Sequence, residues 1–152
     1  MKIAIVDDIA EERTLLRKRL MQQLQNHSIC ARFFEYENGT DFLDACENQH
    51  FTVLFLDIYM EGKNGIDTAK EFRQKDSDCL LIFTTTSTDH ALEGFQVRAM
   101  HYLVKPYTQE ILSALIDEIL ARIPRPEKYI QIKTNGANIR IPFHNIVYAE
   151  HF

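Results

Sequence analysis

Short apolar runs alternate with amphipathic stretches from the N-terminus to Arg122. Each run has the length of a buried strand, and the stretches between them carry apolar residues at helical spacing, as at Leu16 and Leu20. This alternation is typical of βα units around a parallel sheet. The predicted strands are Lys2–Val6, Ala31–Tyr36, Val53–Leu56, Leu80–Thr84 and Tyr102–Val104.

The clearest predicted helix follows the fifth strand, where Ile111 and Leu115 belong to one of two parallel apolar stripes. Thr108 or Tyr107 marks its start. The helix after the fourth strand, around 91–97, is short and has a weak apolar pattern. Five strands alternating with helices predict an α/β fold with a doubly wound parallel sheet, and such sheets bind ligands beyond the carboxyl ends of their strands.

The pattern changes to an all-β one after Pro124 and Pro126, which break helix and mark a linker. A hairpin and a third strand are predicted at Tyr129–Lys133, a turn at Asn135-Gly136, Ile139–Ile141 and Ile146–Tyr148. Three short strands bury little apolar surface by themselves. We therefore expect the chain to stop inside its second domain, at a cloning boundary rather than a natural end.

The charge distribution supports this division of the chain. Residues 1–122 hold 13 Lys and Arg against 20 Asp and Glu, a net charge of −7, whereas residues 123–152 hold four against two, a net charge of +2. An acidic part suits metal or protein binding, and a basic part suits nucleic acid. We predict a first domain in residues 1–122, a linker in 123–127 and a partial all-β segment in 128–152.

Two further features bound the location of the protein. The chain has no apolar stretch of membrane-spanning length, and the apolar run in MKIAIVDD stops at two acids, so we expect neither a membrane span nor a signal peptide and predict a cytoplasmic protein. Cys30, Cys46 and Cys79 lack the paired spacing of a zinc or redox site, and we interpret them as reduced core thiols.

Three aspartates follow predicted strands. Asp7 and Asp8 come after the first strand and Asp57 comes after the third, so all three should converge at one sheet edge. Converging carboxylates repel one another. A bound Mg²⁺ ion, which prefers a few oxygen ligands, usually offsets this repulsion. An Asp-Asp pair alone is more often a solvated turn.

A hydroxyl and an ammonium are expected at the same edge. Thr85 directly follows the fourth predicted strand, and Lys105, followed by Pro106, directly follows the fifth. Each of these two groups can hold one oxygen of a phosphoryl group. Taken singly, Thr85 is better explained as an ordinary strand residue and Lys105 as a solvated lysine. Acids after two strands, together with this hydroxyl and this ammonium, are hard to obtain by chance.

These motifs resemble the receiver domain of two-component response regulators. The resemblance covers residues 1 to about 122 and rests on IVDD at 5–8, FLDIYMEGKNG at 55–65, FTTTS at 83–87 and YLVKP at 102–106. It implies a flavodoxin-like sheet of strand order 2-1-3-4-5. It also implies that Asp57 is the phosphoacceptor, that Asp7 and Asp8 form the acid pocket with it, and that the backbone carbonyl of Tyr59 completes the Mg²⁺ ligands.

The resemblance also assigns a switch. Thr85 is the implied switch hydroxyl, Tyr102 the switch aromatic, and Lys105 the cation that binds the phosphoryl group. Three threonines in a row at 84–86 leave the hydroxyl open by one residue, and counting back from Lys105 favours Thr85.

The sequence departs from the family pattern at Glu61, where many members have Pro, and at His101, where many have Asp.

Two other classes of protein fit the sequence less well. A phosphatase of the haloacid dehalogenase type needs an acid two residues after its nucleophile, and Tyr59 stands there. A flavodoxin needs a loop rich in Ser, Thr and Gly after the first strand, whereas DDIAEE would repel a phosphate.

The segment YIQIKTNGANIRIPFHNIVYAEHF is similar to the opening strands of the LytTR output domain, a DNA-binding module. The combined resemblance implies a response regulator of the LytTR type that takes a phosphoryl group from a sensor histidine kinase. It would catalyse its own phosphorylation and dephosphorylation without being a turnover enzyme. Its expected partners are the kinase, a second copy of itself after phosphorylation, and promoter DNA through the full-length output domain, with no membrane partner.

Overall fold

The computed structural model describes residues 1–124, 129–134 and 137–142 of the chain. Strands and helices alternate in the first part. The strands are Lys2–Val6 (β1), Arg32–Tyr36 (β2), Val53–Asp57 (β3), Leu80–Thr85 (β4) and His101–Val104 (β5). The helices are Ala10–Asn26 (α1), Gly39–Ala45 (α2), Gly65–Lys75 (α3), Ala91–Gln96 (α4) and Gln109–Arg122 (α5).

β1 to β5 form one parallel sheet in the order β2-β1-β3-β4-β5. Because the strand order reverses between β1 and β3, this is the doubly wound arrangement predicted from the sequence. The register sets Val6 beside Leu56 and Asp57 beside Thr84. The carboxyl ends of these strands therefore reach the same edge of the sheet.

β3 is the central strand, and all five of its residues are buried. A strand covered on both faces reads as a continuous apolar run, and VLFL in this strand is such a run. Phe42 of α2 and Phe72 of α3 are also fully buried, with ring centroids 5.2 Å apart. Burying each ring stabilises the fold by roughly 2–3 kcal/mol. This packing fixes the strands whose ends carry the polar residues.

Short polar side chains start several of the helices. The side chains of Asn38 and Asn64 accept hydrogen bonds from backbone N–H groups three residues later, at 2.7 and 2.9 Å, and so begin α2 and α3. The Thr108 hydroxyl accepts from the N–H of Ile111 at 3.2 Å, which selects Thr108 over Tyr107 as the cap of α5. These side-chain caps fix the residues at which α2, α3 and α5 begin.

The chain divides into two compact units, with the boundary between Ile119 and Leu120, inside α5. In the second unit, Tyr129–Thr134 (β6) and Ala137–Pro142 (β7) pair as antiparallel strands, which confirms the predicted hairpin. The predicted turn at 135–136 and the predicted strand at 146–148 lie outside the described residues.

The strand predictions for the first domain are confirmed, with ends that differ by a residue. The prediction that all three cysteines are core thiols is wrong for Cys30, which is exposed because it lies in the connection between α1 and β2 and not in an element that packs on the core. Cys79 is buried and Cys46 half-buried, and all three are free. No helix in the described part of the chain is long and apolar enough to cross a bilayer.

Gly65, the first residue of α3, lies against the backbone of the third strand. Its N–H donates to the Ile58 carbonyl at 2.8 Å, and a Cβ added to it would stand 2.1 Å from the Asp57 carbonyl oxygen. Because the obstructing atoms are backbone, they cannot rotate away. A side chain here must move either α3 or the loop that carries Asp57.

Gly65→Ala should therefore lower the free energy of unfolding by roughly 2–3 kcal/mol in a denaturant titration followed by circular dichroism. Gly62→Ala is the control, because a Cβ at Gly62 meets nothing within 4 Å and costs only the strain of its φ of +79°, about 1 kcal/mol. Equal losses in the two variants would contradict the role of the close backbone contact.

Candidate functional site

The carboxyl edge of the sheet brings together the polar residues that the sequence singled out. Asp57 and Thr85 are the last residues of β3 and β4, Asp7 follows β1 directly, and Lys105 follows β5 directly. Asp8 comes next after Asp7. Four neighbouring strands of a rigid sheet thus deliver every one of these side chains.

Asp7, Asp8 and Asp57 form a cluster in which one carboxylate oxygen from each lies within 4.8 Å of the other two. Asp7 is 3% exposed and Asp57 5% exposed, whereas Asp8 is open to solvent. Oxygen donors at this spacing, with one open side, fit a hard divalent cation that keeps part of its water. The cluster is the candidate metal site.

Burial raises the pKa of Asp57 to about 7. Lys105 opposes this increase, the charges of Asp7 and Asp8 add to it, and a backbone hydrogen bond from Tyr59 lowers it. The ionised form of Asp57 is therefore costly without a compensating cation. A carboxylate that is buried yet reachable from solvent is a candidate nucleophile.

Lys105 is the cation nearest to the cluster. Its Nζ donates to Asp7 Oδ2 at 2.8 Å and lies 3.9 Å from both Asp57 Oδ1 and Glu12 Oε2. Burial lowers the pKa of Lys105, but the hydrogen bond to Asp7 and the surrounding negative charges leave it raised. Lys105 is therefore a permanent positive charge, and it lies beside the carboxylate that would carry a phosphoryl group. The peptide bond between Lys105 and Pro106 is cis.

Tyr59 lies in the loop after β3, and its ring is half exposed and packs edge-on against His90, with centroids 5.6 Å apart. Its backbone N–H contacts the Asp57 carboxylate. The N–H of Glu61, in the same loop, lies 3.4 Å from Asp8 Oδ2. The loop therefore lies against the acid cluster, where the sequence predicts a backbone ligand from Tyr59.

The two predicted switch residues lie on neighbouring strands. Thr85 is fully buried, and its hydroxyl accepts from the N–H of Ser87 at 3.2 Å. Tyr102 packs its ring on Phe83, with centroids 5.5 Å apart, and donates its hydroxyl to the His90 carbonyl at 2.6 Å. The aromatic side chain is thus hydrogen-bonded to the residue that precedes α4.

Gly94 of α4 is a site residue that sequence reasoning missed. A Cβ added there would stand 1.7 Å from the Tyr102 hydroxyl oxygen, so glycine gives the tyrosine its space under the helix. A glycine inside a short, weakly patterned helix was the available signal, because glycine disfavours a helix unless packing requires it.

Arg13 and Glu12 of α1 were also missed. Glu12 lies beside Lys105, and Arg13 donates to the Asp7 carbonyl oxygen at 2.6 Å. Charged residues on the first turns of a helix normally face solvent, so the sequence gives no signal that these two turn towards the cluster.

Comparison with known proteins places these features in a family. The model of the response regulator receiver domain matches residues 3–117. The chain is 36% identical over 121 residues to the sensory transduction protein LytT of Oceanobacillus iheyensis, covering 78% of this chain and 48% of that protein. It is 33% identical over 130 residues to the positive alginate biosynthesis regulatory protein of Pseudomonas aeruginosa, covering 84% of this chain and 49% of that protein.

A solved structure is similar as well. The response regulator protein TrrA of Thermotoga maritima, in complex with Mg²⁺ and BeF, superposes with a TM-score of 0.66 at 26% identity, over 78% of this chain and 97% of that one. The chain spans about half the length of the two relatives named above. Because the family model covers most of the sequence and the sheet has the matching strand order, the protein belongs to the response regulator receiver family.

Proposed function

We propose that Asp57 accepts a phosphoryl group from a sensor histidine kinase and that the full-length protein thereby controls transcription. The observation that carries this proposal is the position of Lys105, whose Nζ lies 3.9 Å from Asp57 Oδ1 at the mouth of a three-aspartate cluster. A lysine beside a buried carboxylate serves a reaction that builds negative charge there.

The proposed metal is Mg²⁺, held by the carboxylates of Asp7, Asp8 and Asp57 and the backbone carbonyl of Tyr59. The charge of three carboxylates, the oxygen donor set and the solvent-open side support this choice. The related TrrA was solved with Mg²⁺ and BeF. When bound, Mg²⁺ would neutralise charge on the transferring phosphoryl oxygens.

The reaction is an in-line displacement at phosphorus. An Asp57 carboxylate oxygen forms the new P–O bond while the P–N bond of the kinase phosphohistidine breaks, and the imidazole leaves with the bonding electron pair. Lys105 and the hydroxyl of Thr85 would each hold one phosphoryl oxygen. Hydrolysis of the acyl phosphate at the same site would return the carboxylate, so the protein is a phosphoacceptor rather than a turnover enzyme.

The proposed switch connects this chemistry to a surface. Thr85 turning towards the phosphoryl group would vacate space for the Tyr102 ring, and that movement would break the hydrogen bond from Tyr102 to the His90 carbonyl. α4 would then be free to shift. Exposed apolar residues on α4, β5 and α5 define what we call the switch face: Leu92, Phe95, Val104 and Ile111.

The output is proposed to be a LytTR-type DNA-binding domain that begins after a linker at 123–127, with residues 128–152 as its first part. The hairpin of β6 and β7 and the similarity to LytT support this division. Promoter DNA is then a partner of the full-length protein, and a histidine kinase partner implies action in the cytoplasm. The four Lys and Arg after residue 122 are too few to hold DNA strongly by themselves.

Acetyl phosphate with Mg²⁺ should add one phosphoryl group to the protein, and Asp57→Asn should abolish the mass increase, because an amide is not a nucleophile for phosphorus. Intact-mass spectrometry measures the result. Asp89→Asn, at an exposed loop aspartate, is the control and should label normally. Labelling of Asp57→Asn to the level of the native chain would refute the assignment.

Asp57 should also make metal-free stability depend on pH. Its pKa of about 7 in the folded protein exceeds the ordinary value of 3.8, so between about pH 4 and 7 the folded state holds a proton that the unfolded state has released. Stability should therefore fall as pH rises through this window. Above pH 7, Asp57→Asn should be more stable than the native chain by up to about 4 kcal/mol, the free energy that a shift from 3.8 to about 7 corresponds to.

Thermal melts in a chelating buffer at several pH values would measure this difference. The gain from Asp57→Asn should shrink towards pH 4, and added Mg²⁺ should stabilise the native chain more than the variant. Asp89→Asn again serves as the control and should melt with the native chain throughout. If the stability gain of Asp57→Asn does not change with pH, ionisation of Asp57 is not what destabilises the metal-free protein.

Loading with the phosphoryl mimic beryllofluoride should promote self-association through the switch face. Phe95, 81% exposed, is its most open large apolar residue, and Phe95→Asp should keep the loaded protein monomeric because dimerisation would bury the new charge. Leu15→Asp changes an exposed apolar residue of α1 in the same way and should leave the dimer intact. Sedimentation velocity measures the oligomeric state of each loaded protein. A native chain that stays monomeric with beryllofluoride at high concentration would contradict the prediction.

A further inference from the structure

Arg13 of α1 reaches back to the end of β1. Its Nη1 donates to the backbone carbonyl oxygen of Asp7 at 2.6 Å, and its side chain is 16% exposed. No carboxylate of the acid cluster is its partner in the described residues; it binds the main chain between the two aspartates. This contact fixes the peptide group itself.

The peptide that joins Asp7 to Asp8 is planar, so the Asp7 carbonyl and the Asp8 N–H turn together. The Asp7 side chain has its own constraints, because Oδ1 accepts from the Ile9 N–H at 2.9 Å and Oδ2 accepts from Lys105 at 2.8 Å. Asp8 is exposed, and among the described residues its carboxylate accepts one hydrogen bond, a long one of 3.4 Å from the N–H of Glu61. The direction in which the Asp8 side chain leaves the backbone therefore depends on the peptide between Asp7 and Asp8, which Arg13 holds.

We infer that Arg13 is a positioning residue, which aims the Asp8 carboxylate at the cation by fixing the peptide plane between Asp7 and Asp8. The inference rests on the proposed function, since it takes the aspartate cluster to be a Mg²⁺ site. Arg13 is not itself a ligand. It acts through the main chain, and the fixed orientation spares the site the cost of ordering Asp8 when the cation arrives.

The guanidinium of Arg13 is itself held in place. Its Nε lies 3.5 Å from Glu35 Oε1 of β2, an ion pair without hydrogen-bond geometry, and Arg17 Nη1 holds the other oxygen of Glu35 at 2.8 Å. Glu35 therefore lies between two arginines one helical turn apart. Only one of the two, Arg13, touches Asp7, which makes Arg17 a matched control for charge and for the Glu35 contact.

The test is a calorimetric titration of Mg²⁺ into the full chain, with folding of each variant checked by circular dichroism. Arg13→Gln removes the charge and shortens the side chain, and Arg13→Lys keeps the charge but replaces the planar fork with a single ammonium. We expect Arg13→Gln to weaken Mg²⁺ binding by roughly tenfold and Arg13→Lys to weaken it several-fold. Arg17→Gln should stay within about twofold of the native chain, because a surface ion pair contributes little.

The outcomes separate this inference from the proposed function. A native chain that binds no Mg²⁺, or binds it equally with Asp8→Ala, overturns both. Native-like binding by both Arg13 variants overturns the inference alone, as does equal weakening by Arg17→Gln. Binding by Arg13→Lys at the native level would show that the planar fork is not needed and would overturn the geometric claim; this variant decides the matter by itself if Arg13→Gln does not fold.

A second readout distinguishes positioning from general damage. Labelling by acetyl phosphate should need more Mg²⁺ in the Arg13 variants but should reach the native rate when Mg²⁺ saturates, since Asp57 and Lys105 are untouched. A lower rate at saturating Mg²⁺, with unchanged Mg²⁺ affinity, would assign Arg13 to the reaction rather than to the cation site and would overturn the inference.

Discussion

The repulsion among three carboxylates at one sheet edge is the constraint on which the site depends. Buried strands hold the backbone of Asp7, Asp8 and Asp57 at one sheet edge, because the apolar residues before them are packed in the core, and the side chains of Asp7 and Asp57 are themselves buried. Lys105 is the one cation that pairs with a carboxylate of the cluster in the described residues, and it lies closer to Asp7 than to Asp57. Burial, with the negative charges of Asp7 and Asp8 adding to it, raises the pKa of Asp57, and the excess of carboxylate charge favours a bound cation.

The backbone around the cluster is as closely fitted as the side chains. Arg13 holds the peptide after Asp7, and Gly65 lets α3 begin against the Asp57 carbonyl. On the other side, Gly94 leaves room for the Tyr102 hydroxyl beneath α4. These contacts share a physical character: each fixes a loop or short helix at one point through main-chain atoms. Under the proposed function, a movement at Asp57 would reach the neighbouring loops and helices through these contacts.

Periodicity and strand-end chemistry were sufficient to predict a doubly wound parallel sheet and the residues at its carboxyl edge, whereas the strand order came from the family resemblance. The prediction works because βα alternation and the carboxyl-end rule depend on backbone geometry, which the apolar pattern reports directly. The exposure of Cys30 and the inward turn of Arg13 were not predictable. An apolar neighbourhood in sequence does not reveal whether a helix covers a loop residue, and the direction of a long charged side chain depends on tertiary partners such as Glu35.

The position of the Asp57 pKa near neutrality ties cation binding to proton release. The raised pKa favours the protonated Asp57 carboxyl in the metal-free protein towards neutral pH, and a cation bound at the cluster would displace that proton into solvent. The heat of binding then includes the ionisation enthalpy of whichever buffer takes up the proton, so two buffers at one pH report different apparent enthalpies for the same event. In the proposed function, the nucleophilic form of Asp57 would then become scarcer as the pH falls below its pKa.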